Sequence, residues 1–415
     1  MSGRTISLGI LVLLLAFAAA LATAEKGRIY GKIYTDEGDV LEGPIRWDKN
    51  EATWDDVLDG SKERSEHAEK TSRHKYGDRS RNISLFGIAI TSHDWGNTSQ
   101  AGICFGHIKE LTPINDDEVE FLLKSGQRVV FSQGSTDFGS GIREIVIETQ
   151  TEGELELDWE DIDHIEFLDG GDVTSGFGKR LYGTVTTSRA GDFTGWICWD
   201  MDELFTTDII DGSEHGRTRK IKFSQIVKIE RLSSQASELT LRDGKVIRLE
   251  DSNDIDSGNR GIIVSDPALG RVSVSWDEFE SLELKEPPPT AYPKYADFDG
   301  GRRIQGTAAD ENGDKYTGYV CWDDDEEYTW ELLDGSYRGV DFDIPFEKIQ
   351  KIEKDTRRTT AVTLWDGREF RLRDSNDVND ENKGVFITSG TEGKKGGETT
   401  ELTWDDFARV DFTRK

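Results

Sequence analysis

Trp47, Trp199 and Trp322 are each followed by aspartate, and they are separated by 152 and then 123 residues. Gly31, Gly183 and Gly306 keep the same two offsets, as do the pairs Asp59-Gly60, Asp211-Gly212 and Asp334-Gly335. Three independent landmarks in one register define an internal repeat, which restricts the chain to three versions of one folded unit. Phe105, Phe223 and Phe346 are 118 and 123 residues apart, so the first copy carries an insertion at about 61–99. The copies are read as residues 25–168, 178–286 and 300–413. Between them lie a Gly-rich linker, LDGGDVTSGFG, and a stiff spacer led by Pro287-Pro288-Pro289.

The local pattern is β throughout. Val362 and Leu364, then Phe370 and Leu372, alternate with polar residues on either side of Asp366-Gly367. Leu239 to Leu249 repeats this around Asp243-Gly244, and Phe121 to Val130 does so around Ser125-Gly126. Asp-Gly between alternating runs predicts a hairpin with a type I′ turn. Each copy also holds two closing segments, such as Phe346-x-x-Ile349-x-x-Ile352 and Trp404-x-x-Phe407-x-x-Val410. Spacing by three cannot lie on one strand face, so a strand, a tight 3₁₀ turn and a strand are expected. Six half-modules result. The predicted fold is all-β, each copy a pair of small SH3-like or Sm-like barrels, with a propeller of six half-modules as the alternative.

Residues 1–24 read as an export signal: Arg4, the apolar run Leu8 to Leu21, and Ala22-Thr23-Ala24 as a cleavage site. The expected location is extracytoplasmic, periplasmic or secreted, with no membrane insertion after cleavage. The 82 acidic residues against 51 basic ones give a net charge of −31, which argues against nucleic acid and anionic membranes as partners. Three cysteines cannot all pair within the chain. Cys198 and Cys321 share a place in Ile-Cys-Trp-Asp and Val-Cys-Trp-Asp, with Ile45 read at that place in the first copy. An aliphatic alternate points to buried core thiols rather than nucleophiles.

No nucleophile elbow, phosphate loop, H-E-x-x-H or C-x-x-C motif is present. None of the six histidines lies in the third copy, so histidine chemistry is not a property of the repeat. The most distinctive polar motif is Asp251, Asn253, Asp254 and Asp256, matched by Asp374, Asn376, Asp377, Asn379 and Asp380. Clustered oxygen donors on a loop suit Ca²⁺, although the EF-hand pattern does not fit; the alternative is an Asx-rich turn bonding its own backbone. A second acidic cluster follows each Trp-Asp pair: Asp200, Asp202 and Glu203, then Asp323 to Glu327. With Trp54 or Trp330 nearby, it is a candidate contact surface. The insertion is basic, with Lys62, Arg64, Lys70, Arg73, Lys75, Arg79 and Arg81, and holds His67, His74 and His93 and two glycosylation sequons.

The expectation is therefore an exported, non-catalytic binding, scaffold or adhesion-type protein, with Ca²⁺ as an optional stiffener. Its expected partner is another protein or an extracellular polymer. The competing class is a secreted hydrolase with one carboxylate site between modules or under the insertion. A carboxylate cluster confined to one copy and lining a deep cleft with perturbed pKa values points to the enzyme, and equivalent shallow surfaces on all three copies point to binding.

Overall fold

The computed structural model of the chain describes residues 24–63, 82–85, 88–91, 98–132, 135–171, 173–390 and 397–414. Residues 1–23 of the export segment, the three insertion histidines, Asn97 and the basic residues from Arg64 to Arg81 lie outside them. Of the insertion, Asn82–Leu85 and Ile88–Thr91 form a separate two-stranded ribbon.

Three large antiparallel sheets, of ten, twelve and eight strands, make up the body. The first copy's sheet begins with Gly153–Leu157, Ile145–Thr149, Val40–Trp47, Tyr30–Thr35 and Ile162–Phe167. It continues through Ile108–Asn115, Glu118–Leu123, Arg128–Ser132 and Val57–Glu63 to Thr98–Cys104. The second copy repeats this order strand for strand, from Gly270–Val274 to Arg217–Lys222. The third does the same from Thr399–Leu402 to Glu369–Leu372, but lends its Leu332–Tyr337 and Val340–Pro345 pair to the end of the second copy's sheet. The β-repeat is as expected.

The barrels are not. Among the described residues each sheet stays open, because its two terminal strands do not pair with each other. Nor are the halves separate units, whether barrels or blades. Tyr30–Thr35 of the first half is hydrogen-bonded between Val40–Trp47 and Ile162–Phe167, the last strand of the second half. Glycine permits this contact: a Cβ at Gly31, Gly183 or Gly306 would lie 2.5, 2.6 or 2.8 Å from the carbonyl oxygen of Glu166, Glu283 or Asp411 on the closing strand.

The closing segments form as the spacing implies. Phe105–His107, Trp159–Asp161, Phe223–Gln225 and Phe346–Lys348 are single 3₁₀ turns between strands, whereas the segments at Trp276 and Trp404 close with wider turns, in which the N–H of Phe279 or Phe407 donates to the carbonyl of Ser275 or Thr403 four residues back. The type I′ turns do not form. Leu241 and Lys245 bracket three residues, and only Gly244 has positive φ, at 85°. Gly126 and Gly367 behave likewise, giving a type I turn followed by a left-handed glycine. Register also corrects one alignment: Arg46 faces Val146 as Cys198 faces Ile263, so arginine, not Ile45, stands at the cysteine place.

One core spans the second and third copies, and another fills the first, with Phe298 and Trp330 reaching into it. The segment after Pro289 is not a bare spacer. It caps Trp196, whose indole donates to Ala291 O at 3.0 Å, then crosses the first copy, where Tyr295 donates to Ile108 O at 2.9 Å. The modules are also locked by buried charges. Arg180 pairs with Asp56 at 3.0 Å, and Lys62, near the end of Val57–Glu63, reaches Glu331. Arg271 holds Asp59 and Asp343, so one guanidinium joins all three copies.

Candidate metal centre

Each tryptophan that marks the repeat is fully buried and donates its indole N–H to one loop carbonyl. Trp47 bonds Asp137 O at 2.7 Å, Trp199 bonds Asp254 O at 2.8 Å, and Trp322 bonds Asp377 O at 3.0 Å. The side chain of the same aspartate accepts the backbone N–H of Asp59, Asp211 or Asp334 at 2.8, 2.7 and 2.8 Å. Asp137, Asp254 and Asp377 therefore clamp the tryptophan strand to the Asp-Gly strand. Burial raises all three carboxyls, Asp254 to about 6 and Asp377 to about 7.

The other loop residues are distributed around this clamp. Asn253 donates its amide to Asp200 at 2.6 Å, and Asn376 does the same to Asp323. Asp256 and Asn379 accept the backbone N–H two residues on, of Gly258 and Glu381, each at 2.7 Å, as in an Asx turn. Asp251 and Asp374 are exposed with φ of 63° and 65°, and Asp380 pairs with Arg357 at 3.3 Å. The loop side chains thus go to different partners: the clamp, the neighbouring acidic turn, their own backbone, or solvent. Two of them, Asn253 and Asn376, lead instead to the acidic turn that follows each tryptophan.

That turn is the same in all three copies. Asp48-Lys49, Asp200-Met201 and Asp323-Asp324 each place two successive residues at positive φ, and the chain returns so that Glu51, Glu203 or Glu326 faces its tryptophan. One carboxyl oxygen of each glutamate is buried without a hydrogen-bond partner among the described residues. Burial, followed by neighbouring carboxylates, pushes Glu51 and Glu326 well above the usual range and Glu203 up to about 10.

The copies differ in how they answer this charge. In the first, Asn50 stands in place of the middle aspartate, and Arg143 bonds both it, at 2.7 Å, and Asp48, at 3.0 Å. In the third, the buried Lys62 ammonium donates to Asp325 O and Glu331. In the second, Arg46 makes the matching contacts from outside, to Asp202 O at 2.8 Å and Asp208 at 3.5 Å. Asp200, Asp202 and Glu203 then remain with ligand oxygens all within 4.8 Å of one another. Arg260 borders them, 3.1 Å from Asp200 and 2.5 Å from Asp202; the second contact is an ion pair without hydrogen-bond alignment.

Repetition had marked this turn as a surface patch, whereas it folds under neighbouring copies. Trp54 and Trp330 are buried as well, at 2% and 1% exposure. No helix of the described residues is long and apolar enough to cross a membrane. Comparison with family models and with curated proteins finds no match for this chain. Fold and site together define an all-β repeat protein with a buried acidic cluster able to coordinate a metal ion.

Proposed function

We propose that the protein is an exported, non-catalytic scaffold whose second module takes a divalent cation, Ca²⁺ foremost, at Asp200, Asp202 and Glu203. One observation carries the reading: three carboxyls converge within 4.8 Å, and burial and the charge of Asp202 keep Glu203 protonated up to about 10. Two adjacent carboxyls that cannot both ionise hold one proton between them, and a cation takes the place of that proton. An all-oxygen donor set suits hard ions such as Ca²⁺ and Mg²⁺ rather than Zn²⁺ or Cu²⁺. The scaffold role is supported by the recurrence of the glutamate turn in all three copies and by the charge pairs that fuse the modules. Its export rests on the apolar run Leu8 to Leu21, and its partner is expected to be a protein or an extracellular polymer.

Titration calorimetry and melting in EDTA, Ca²⁺ or Mg²⁺ test the cation. A ligand at about 100 times its Kd adds roughly 2.7 kcal/mol to the folded state. The expected result is Ca²⁺ binding with proton release, lost in Asp202→Asn. The absence of both a binding heat and a melting shift at millimolar Ca²⁺ would overturn it.

A further inference from the structure

The junction between the second and third copies is a strand pair. Gly270–Val274, the outer strand of one, lies antiparallel to Val340–Pro345, the outer strand of the other, with Arg271 opposite Asp343, Val272 opposite Phe342 and Ser273 opposite Asp341. Arg271 and Asp343 close this register with an ion pair at 2.5 Å. The repeat supplies the same two strands elsewhere. Gly153–Leu157 corresponds to Gly270–Val274, since Thr149 pairs Gly153 as Asp266 pairs Gly270. Arg217–Lys222 corresponds to Val340–Pro345, since Ile209 pairs Lys222 as Leu332 pairs Pro345.

Both of these strands are open sheet edges among the described residues, at opposite ends of their strand orders, and they do not pair with each other within the chain. Their charges are opposite. Arg217, Arg219, Lys220 and Lys222 are exposed on one edge, in a chain whose net charge is −31. Glu154 and Glu156 are exposed on the other. Transferring the internal register sets Glu154 against Lys220, in the places of Arg271 and Asp343 but with the signs exchanged. The third copy's outer strand, Thr399–Leu402, has the uncharged Thr399 at that place, so it offers no such match.

We infer that the Arg217–Lys222 edge receives the Gly153–Leu157 edge of a second copy of this chain. The molecules then assemble head to tail through the same strand junction that joins the second and third copies. Charged residues on an edge ordinarily repel identical edges, and here they do so while leaving the oppositely charged edge as partner. Opposite charges directly across an antiparallel pair favour the register, and main-chain bonds supply the affinity. Because the two contacting surfaces differ, the contact is heterologous and extends into a series unless the rotation closes a ring. This inference is independent of the cation site.

Sedimentation velocity of the purified chain over a wide concentration range, in EDTA, tests it. The expected result is a concentration-dependent series of faster species. Lys220→Glu alone and Glu154→Lys alone should each sediment as monomer, while an equimolar mixture of the two recovers the series, because each then offers the other a matched edge. All four basic side chains and both glutamates are exposed, so circular dichroism should show both variants folded. A wild-type chain that stays monomeric at every concentration overturns the inference. So does a series that neither substitution diminishes.

Discussion

Arg271 and Asp59, 212 residues apart, form a buried bidentate pair at 2.7 and 2.9 Å that ties the second copy to the first. The same guanidinium holds Asp343 of the third. Removing one member of a buried pair leaves the other charge uncompensated, at a cost of about 3–5 kcal/mol. Arg271→Leu should therefore lower stability by that order in chemical unfolding. Burial already raises Asp59 in the presence of the arginine, so the orphaned carboxyl takes up a proton readily in acid. The loss caused by Arg271→Leu should shrink as pH falls, and an equal loss at all pH values would count against this account.

A milder change tests the tryptophan clamp. Trp199→Phe keeps most of the apolar contact with Trp276 and Phe279 but leaves the carbonyl of Asp254 with only the longer bond from the Asn259 amide, at 3.4 Å. An unsatisfied buried acceptor costs about 1–3 kcal/mol. Trp199→Phe should destabilise by less than that amount, as should Trp322→Phe, whose acceptor Asp377 O keeps the Asn382 amide at 3.3 Å, whereas Trp47→Phe should cost the full amount, since no second donor reaches Asp137 O among the described residues. A markedly larger loss would mean that packing dominates.

These contacts show what the sequence made legible. The repeat register located the tryptophans, the Asp-Gly strands and the tight closing turns, four of the six in 3₁₀ form, because each is a short local pattern. Sheet closure was different. It depends on whether Gly153–Leu157 and Thr98–Cys104 meet, and nothing within either strand encodes that distance. The acidic turn was visible as Asp200, Asp202 and Glu203, but its burial was not. That burial comes from Arg46 and Lys62 of another copy, and a long-range pair leaves no trace in local spacing. The unlike residue at the cysteine place was a usable signal: Arg46 differs from Cys198 because it reaches outward to Asp208.

The thiols should be silent. Cys104, Cys198 and Cys321 are 6%, 1% and 2% exposed, and burial raises Cys104 and Cys198 far from the thiolate range. Reactivity needs the thiolate and access. A thiol reagent should label none of the three in the native protein and all three in denaturant. Native labelling of any one would show that its interface opens.

Glu203 gives a stability signature without any metal. Its folded pKa, about 10, lies above the ordinary 4.5, so its contribution is full below about 4.5 and is lost progressively as pH rises toward 10. Over that interval the unfolded chain ionises the carboxyl and the folded protein does not. Glu203→Gln removes this difference while keeping a neutral side chain of the same shape. In EDTA its melting temperature should equal the wild type's in acid and exceed it by a growing margin from neutral to alkaline pH. A constant offset would place the effect in packing rather than in protonation.

Arg260 decides how open the cluster is to a cation. Its guanidinium stands against Asp200 and Asp202, and those carboxylates hold it in its charged form above the ordinary arginine range. An arriving divalent ion competes with that positive charge for the same oxygens, as opposite charges within about 4–6 Å bias one another's ionisation. The arginine side chain is 37% exposed, so it can withdraw toward water, while its backbone N–H stays on Asp200 at 2.5 Å and keeps that ligand placed. Arg260→Ala should therefore raise Ca²⁺ affinity in calorimetry, since Asp200 and Asp202 lose the guanidinium that competes with the ion for their oxygens. The single variant should also melt lower than wild type in EDTA and recover when Ca²⁺ is added. If Ca²⁺ affinity falls instead, the guanidinium positions the carboxylates rather than competing for them.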